Sequence, residues 1–360
     1  MKRLSSSLAR LPRAVISTGV ASMLGLWGVS AHAQVTLDWV TVGDPGNTAD
    51  TTTYGAVADA FQIMKYEWTN SQYVDFLNAV DASGTNPNSV YNTNMGSDVR
   101  GGISFTSGAS PGSKYAAKTD MGDKPVNYVS WWDAARVANW LQNGQGSGST
   151  ETGAYTLNNN TSGNAPAVNI GALFYPPTEN QWYKAAYYKG GSTSAGYWDY
   201  ATQSDTAPTA VTAGTTGIGS AGSAGNFANY IDGADWNGQN GNVTTVGTNG
   251  GSSAYNAFDM SGNIWEWNDL TGAAGSTRGA RGGYWSSFSA FSLSSSSNIA
   301  IDPSDESDVY GFRLATVVVP EPSTWVMGAV GLACAAWGGF RRRKQSLRRC
   351  FRPPSTPPKR

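Results

Sequence analysis

The sequence predicts an α+β domain with little regular secondary structure, in which a few capped helices and short strands are joined by long loops. Three observations carry this. Three helix starts each show a capping signature, and short runs of alternating apolar residues stand apart from them. Long polar stretches run from Ser83 to Asp123, Gln145 to Ala167 and Gly190 to Ala254. Connections of that length are unusual in a compact domain and point to loops that are functional or held by ions. A simple sandwich or barrel does not account for three capped helices so spaced, and no short repeat is evident.

Taken in order, Val35 to Val42 alternates like a strand, Gly43 to Gly55 is a loop, and Phe61 to Tyr66 reads as a second strand. Thr69-Asn70-Ser71-Gln72 is a capping box. Tyr73, Phe76, Leu77 and Val80 follow at the spacing of one helix face. A second helix opens at Ser130 with Asp133 three residues on, carries Trp131, Val137, Trp140 and Leu141, and has Gly144 as its stop. A third opens at Thr178 after Pro176-Pro177, with Gln181 closing the box. Trp182, Ala185 and Ala186 lie near one face, and Gly190-Gly191 ends it.

Both ends of the chain read as targeting segments. Met1-Lys2-Arg3 with Arg10 and Arg13, an apolar run from Ala14 to Val29, and Ala31-His32-Ala33 form a secretory signal with the mature start at Gln34. A membrane helix fits less well, because Ser17, Thr18, Gly19 and Ser22 break the run. Trp325 to Phe340 carries no charge and is followed at once by Arg341-Arg342-Arg343-Lys344. As a helix it is about 24 Å long against a hydrocarbon core of ~30 Å, and the basic cluster places the tail on the cytoplasmic side. Val319-Pro320-Glu321-Pro322-Ser323 stands just before it. Pro320-Glu321-Pro322, the apolar span and the arginines together resemble a PEP-CTERM sorting signal. That resemblance implies an exosortase-type processing enzyme as partner. It also implies a membrane-anchored intermediate and release to the cell surface or extracellular matrix. The expected organisation is a signal peptide (1–33), one domain (34–318), a sorting signal (319–344) with a transmembrane segment at 325–340, and a basic cytoplasmic tail (345–360).

Composition narrows the chemistry. Between Gln34 and Phe340 stand 11 Lys and Arg against all 25 acidic residues, a formal net charge of −14 that the near-neutral total conceals. Such a surface repels nucleic acid and favours divalent cations, though solubility alone also explains it. The cysteines are Cys334 and Cys350, and His32 is the chain's single histidine. The mature domain therefore has no disulfide, no zinc site built on His or Cys, and no Ser-His-Asp or Cys-His mechanism.

Several segments in order resemble the formylglycine-generating-enzyme, or sulfatase-modifying factor, family, whose fold is related to C-type lectins. They are Lys65 to Asn70, Pro125 to Trp131, Pro177 to Trp182, Asp259-Met260-Ser261-Gly262-Asn263-Ile264-Trp265-Glu266-Trp267, Arg281-Gly282-Gly283 and Gly311-Phe312-Arg313. The resemblance implies that fold along the whole exported region, but not an activity. Family oxidases hold copper through two cysteines shortly after Arg-Gly-Gly. Here Ser287 and Ser292 take those places, and serine hydroxyls are hard ligands ill suited to copper(I). Relatives that make sulfur-containing histidine derivatives use an iron site with histidines, which this domain lacks.

The resemblance also implies calcium. Asp259 and Glu266 would give carboxylate oxygens, and Gly262 and Ile264 main-chain carbonyls, a hard-oxygen set suited to Ca2+. The alternative is that Asp259 caps the turn while Glu266 pairs with an arginine. A second calcium site matches Asn229, Tyr230, Asn240 and Asn242. Trp265 and Trp267, two apart in an extended segment, read as core or as supports of the turn. Tyr284, Trp285, Phe288 and Phe291 lie with Ser287 and Ser292 at the place of the family's active site, next to Ser294 to Ser297. They read either as a sugar- or peptide-binding face or as infill of a dead cleft. The expected function is a non-catalytic, calcium-stabilised surface module binding exopolysaccharide or a surface protein, with no copper. The alternatives are an enzyme of the family, a hydrolase using Asp302, Asp305, Glu306 and Asp308, or a purely structural layer component.

Overall fold

The computed structural model describes residues 34–318. The expected signal peptide (1–33), the Pro320-Glu321-Pro322 motif and the apolar segment 325–340 lie outside those residues. Among the described residues no helix is long and apolar enough to cross a membrane. The elements in chain order are β1 (Trp39–Val42), β2 (Phe61–Met64), α1 (Asn70–Val80), α2 (Asn94–Ser97), β3 (Ile103–Phe105), β4 (Tyr115–Ala117), α3 (Trp131–Gln142), β5 (Phe174–Tyr175), α4 (Glu179–Tyr187), β6 (Thr209–Ala210), β7 (Phe227–Ala228), β8 (Trp265–Asn268), β9 (Arg278–Arg281), β10 (Ile299–Ile301), β11 (Tyr310–Gly311) and β12 (Ala315–Val317).

The three longer helices start where their caps place them. Thr69, Ser130 and Thr178 are extended N-caps, and each exchanges both capping-box hydrogen bonds with Gln72, Asp133 or Gln181. Gly144 closes α3 in the left-handed region, its N–H donating to Leu141 O. The third helix stops at Tyr187, short of Gly190, because Tyr188 turns extended and the chain pairs with Tyr197 instead. The first predicted strand pairs over its second half alone, and the second ends at Met64. Ser83 to Asp123, read as one loop, contains α2, β3 and β4.

Two four-stranded sheets frame the molecule, ordered β1-β2-β12-β5 and β10-β9-β8-β11. In the second, β8 runs antiparallel to β9 with Glu266 opposite Arg281, and parallel to β11 with Glu266 opposite Gly311. Every residue of β8 and β9 is buried. Trp265 and Trp267 are thus core residues, Trp267 lying 5.3 Å from the Tyr310 ring. One apolar core joins α1 and α3 to this sheet through Phe76 against Trp140 and Trp68 stacked on Phe312. A second gathers Trp182, Tyr183 and Tyr187 of α4 against Val42, Phe61 and Ile63 of the first sheet.

Candidate functional site

The segment Asp259 to Glu266 enters β8 through a tight turn. Asp259, Gly262 and Asn263 all have positive φ. A Cβ on Gly262 would lie 2.3 Å from Asn229 O, so glycine is required both by the backbone and by the segment bridged to it just after β7. Beyond the turn, Glu266 is fully buried and both its oxygens accept hydrogen bonds. Arg313 grips it with Nε and Nη2, each at 2.6 Å, and the Trp182 indole donates at 2.7 Å. Arg313 also donates to Met64 O and Phe258 O, tying β2 to the turn. Asp259 accepts from Gly247 N–H and from Asn249 Nδ2 at 2.9 Å. Burial pushes its carboxyl above the usual aspartate range. The turn is thus capped by Asp259, and Glu266 forms a carboxylate–guanidinium pair with Arg313. Oε1 of Glu266 accepts from Arg313 alone and keeps one acceptor site, so calcium and the guanidinium pair are not exclusive at this carboxylate.

The Asn229 region differs. Asn229 Nδ2 donates to Asn242 O (2.8 Å), Thr244 Oγ1 (3.2 Å) and Asn263 Oδ1 (3.1 Å), while its Oδ1 is enclosed and accepts no hydrogen bond. An enclosed amide oxygen without a donor fits a hard cation. Tyr230 is buried, with its hydroxyl on Pro208 O, and Asn240 is exposed, its carbonyl accepting from Arg100. Among the described residues no three His, Cys, Asp or Glu side chains come together as a metal cluster. Glu67 joins this network by accepting from Asn263 Nδ2 at 3.0 and 3.2 Å. Burial, followed by the nearby Asp259 and Glu266 carboxylates, holds its carboxyl well above the ordinary range. Glu67 was visible in the sequence within a family motif, but nothing local signals its burial.

The Arg-Gly-Gly motif leads to the place of the family cysteines. Arg281 pairs with Glu179 and donates to Ser295 O and Ser297 O, which fixes the following loop. Gly283 has φ +78°, and a Cβ there would lie 3.1 Å from Ser287 Oγ and 3.2 Å from Ser292 O. The two serine positions are therefore neighbours around one glycine. Ser287 is buried and accepts from Tyr284 N–H at 2.9 Å, and Ser292 is half-buried. Trp285 is interior too, with its N–H on Asn263 O and the Arg100 guanidinium 4.1 Å above its ring. Tyr284 is half-buried, edge-on to Trp285. Phe288 and Phe291 point outward, 92% and 64% exposed, and Ile231, whose N–H bonds to Ser287 O, is 46% exposed.

The four acids of the hydrolase reading enter different surroundings. Asp302 is exposed and caps Ser304, Asp305 follows it in the same turn, and Asp308 faces Arg100 at 3.9 Å. Glu306 accepts from Asn92, and burial followed by Asp133 pushes it up to about 8.

The profile of the sulfatase-modifying factor enzyme 1-like domain matches residues 39–318, and the chain belongs to that family. The PEP-CTERM protein-sorting motif matches residues 318–344, which makes this an exported protein processed by exosortase-type sorting machinery at the membrane before surface release. Among solved structures, Treponema denticola variable protein 1 is 19% identical, with a TM-score of 0.47 over 79% of this chain and 97% of that one. CarF is 21% identical, with a TM-score of 0.47 over 79% and 99% of the two chains. PvdO from Pseudomonas aeruginosa is 18% identical, with a TM-score of 0.39 over 79% and 93%. No curated protein matches the chain.

Proposed function

We propose that the exported domain is a non-catalytic binding module that presents Phe288 and Phe291 to a polysaccharide or a surface protein. The observation that carries this is the exposure of the two rings, 92% and 64%, on a loop pinned from beneath by Ser287, Gly283 and Arg281. Exposed aromatic rings on a fixed scaffold offer large contact area at little cost in chain entropy. Serines in place of the copper-holding cysteines support the absence of oxidase chemistry. Calcium belongs to the same reading, held at Asn229, Tyr230, Asn240 and Asn242, with the enclosed Asn229 oxygen as the supporting feature. The test is binding of the producer's own exopolysaccharide, and of its surface proteins, to wild type and to Phe288→Ala/Phe291→Ala. Loss of binding in an otherwise stable variant supports the module. Equal binding by both proteins, or none by wild type, removes it.

A further inference from the structure

A separate depression of about 250 Å3 lies between the turn after β4 and the loop before β7. Its wall holds Lys124, 2% exposed, whose ammonium donates to Thr216 O at 2.9 Å and Thr245 Oγ1 at 2.7 Å, 4.9 Å from the Trp236 ring centroid. An ammonium carries three N–H donors. The third has no oxygen or nitrogen acceptor among the described residues. The Trp236 ring face offers that third N–H only a weak acceptor, so an oxygen of a ligand or water in the depression would complete the ammonium's bonding. Burial pulls the ammonium below the usual lysine range, and the nearby Asp123 and Asp120 oppose that.

At the rim stand Asp120 and Asp123, both exposed, whose carboxylates make no hydrogen bond or ion pair among the described residues. Ile218, 53% exposed, adds an apolar wall. Gly217 shapes the interior, for a Cβ there would stand 2.5 Å from Trp236 and 2.7 Å from Lys124 Cε. Donor, acceptors and apolar wall thus face one small space.

We propose that this depression is a subsite for one neutral pyranose residue. The volume decides the size, since pockets for drug-sized ligands run from ~300 to 1,000 Å3. The charges decide the class. Two carboxylates at the rim disfavour an anionic sugar, and a cationic sugar's ammonium, donor-only, gives the Lys124 N–H no acceptor. A neutral ring with hydroxyls uses both, giving hydrogens to the carboxylates and accepting from Lys124, while its C–H face meets Ile218. The inference stands independently of the aromatic face, because neither Phe288 nor Phe291 contributes to it.

Saturation-transfer NMR and calorimetry on the full chain, with methyl glucoside, galactoside and mannoside beside glucuronate and glucosamine, test the proposal. A neutral glycoside should bind in preference to both charged sugars. Asp120→Asn/Asp123→Asn and Ile218→Asp, rim changes that leave the interior intact, should each weaken it at least tenfold. Lys124→Met should abolish it, but removing an interior strut also risks the fold, so the rim variants decide. Absence of neutral-sugar binding up to the solubility limit, preference for a charged sugar, or affinity unaltered by the rim changes would each overturn the proposal.

Discussion

At the scale of the residue, what the family motifs supply here is interior polar structure. Arg313 and Glu266 are both fully buried and mutually satisfied. Removing one partner strands the other charge, so Arg313→Met should lower stability by about 3–5 kcal/mol in denaturant titration. Glu266→Gln is for the same reason a poor probe of calcium, since it weakens the Arg313 pair whatever metal is present. The informative substitution is Asn229→Ala. Chelation of metal-loaded protein should lower the wild-type melting temperature, because a ligand bound only to the folded state adds roughly 2.7 kcal/mol at a hundredfold excess over Kd. The variant should not respond to the chelator. Indifference of wild type would remove the calcium reading. Glu306 makes a pH prediction. Its folded-state pKa is raised from 4.5 to about 8, so it binds a proton that the unfolded chain releases earlier. Its contribution is fully present below about 4.5 and is lost as pH rises through about 8. The melting temperature of Glu306→Gln should accordingly decline less than that of wild type between those values.

At the scale of the element, stability is local where the caps are and long-range elsewhere. Thr69 and Thr178 each accept from the N3 amide and are answered by a glutamine side chain. Replacing either by alanine should cost about 1 kcal/mol, measured by thermal or denaturant unfolding. These helices were legible because cap and closing residue lie three apart in the chain. The strands were less so, because a strand's limits belong to its partner. Val35 to Asp38 alternate correctly, yet the ladder with β2 begins only at Trp39. Met64 ends β2 although its N–H and that of Trp68 still bond to Leu314 O and Phe312 O, in a register too irregular for a strand. The site was legible as a set of motifs but not as a set of roles. Glu266 is legible as a candidate metal ligand or an arginine partner, but which arginine it pairs with is not, because Arg313 lies 47 residues away. Trp285 and Phe288 look equally suited to binding in the sequence, yet one is buried under Arg100 and the other stands in solvent. Asp120, Asp123 and Lys124 gave no signal at all, since the loop that completes their pocket comes about ninety residues later.

At the scale of the whole molecule, a family domain on an exported chain, with the family's copper positions changed, predicts a fold retained without its oxidation chemistry. Ser287 and Ser292 border Gly283 together, so the structure keeps the two positions adjacent while removing the sulfur. Copper(I) prefers soft thiolate donors, and the segment from Gln34 to Val318 contains neither cysteine nor histidine to replace them. The purified protein, given copper, oxygen and a sulfatase-derived cysteine peptide, should form no formylglycine by mass spectrometry. Turnover that survives controls for contaminating enzyme would return the domain to the enzymes. The converse experiment asks whether the geometry still waits for its ligands. In Ser287→Cys/Ser292→Cys the first thiol replaces a hydroxyl that accepts from Tyr284 N–H, a contact that sulfur keeps only weakly. Some stability should be lost, but the loop stays pinned by Arg281 on Ser295 O and Ser297 O. The double variant should therefore bind copper(I) with one equivalent per chain by competition against a chelating dye, and either single variant should bind far more weakly. Equal binding by the single and double variants would mean that the two positions do not converge, and that the copper site was lost in geometry as well as in chemistry.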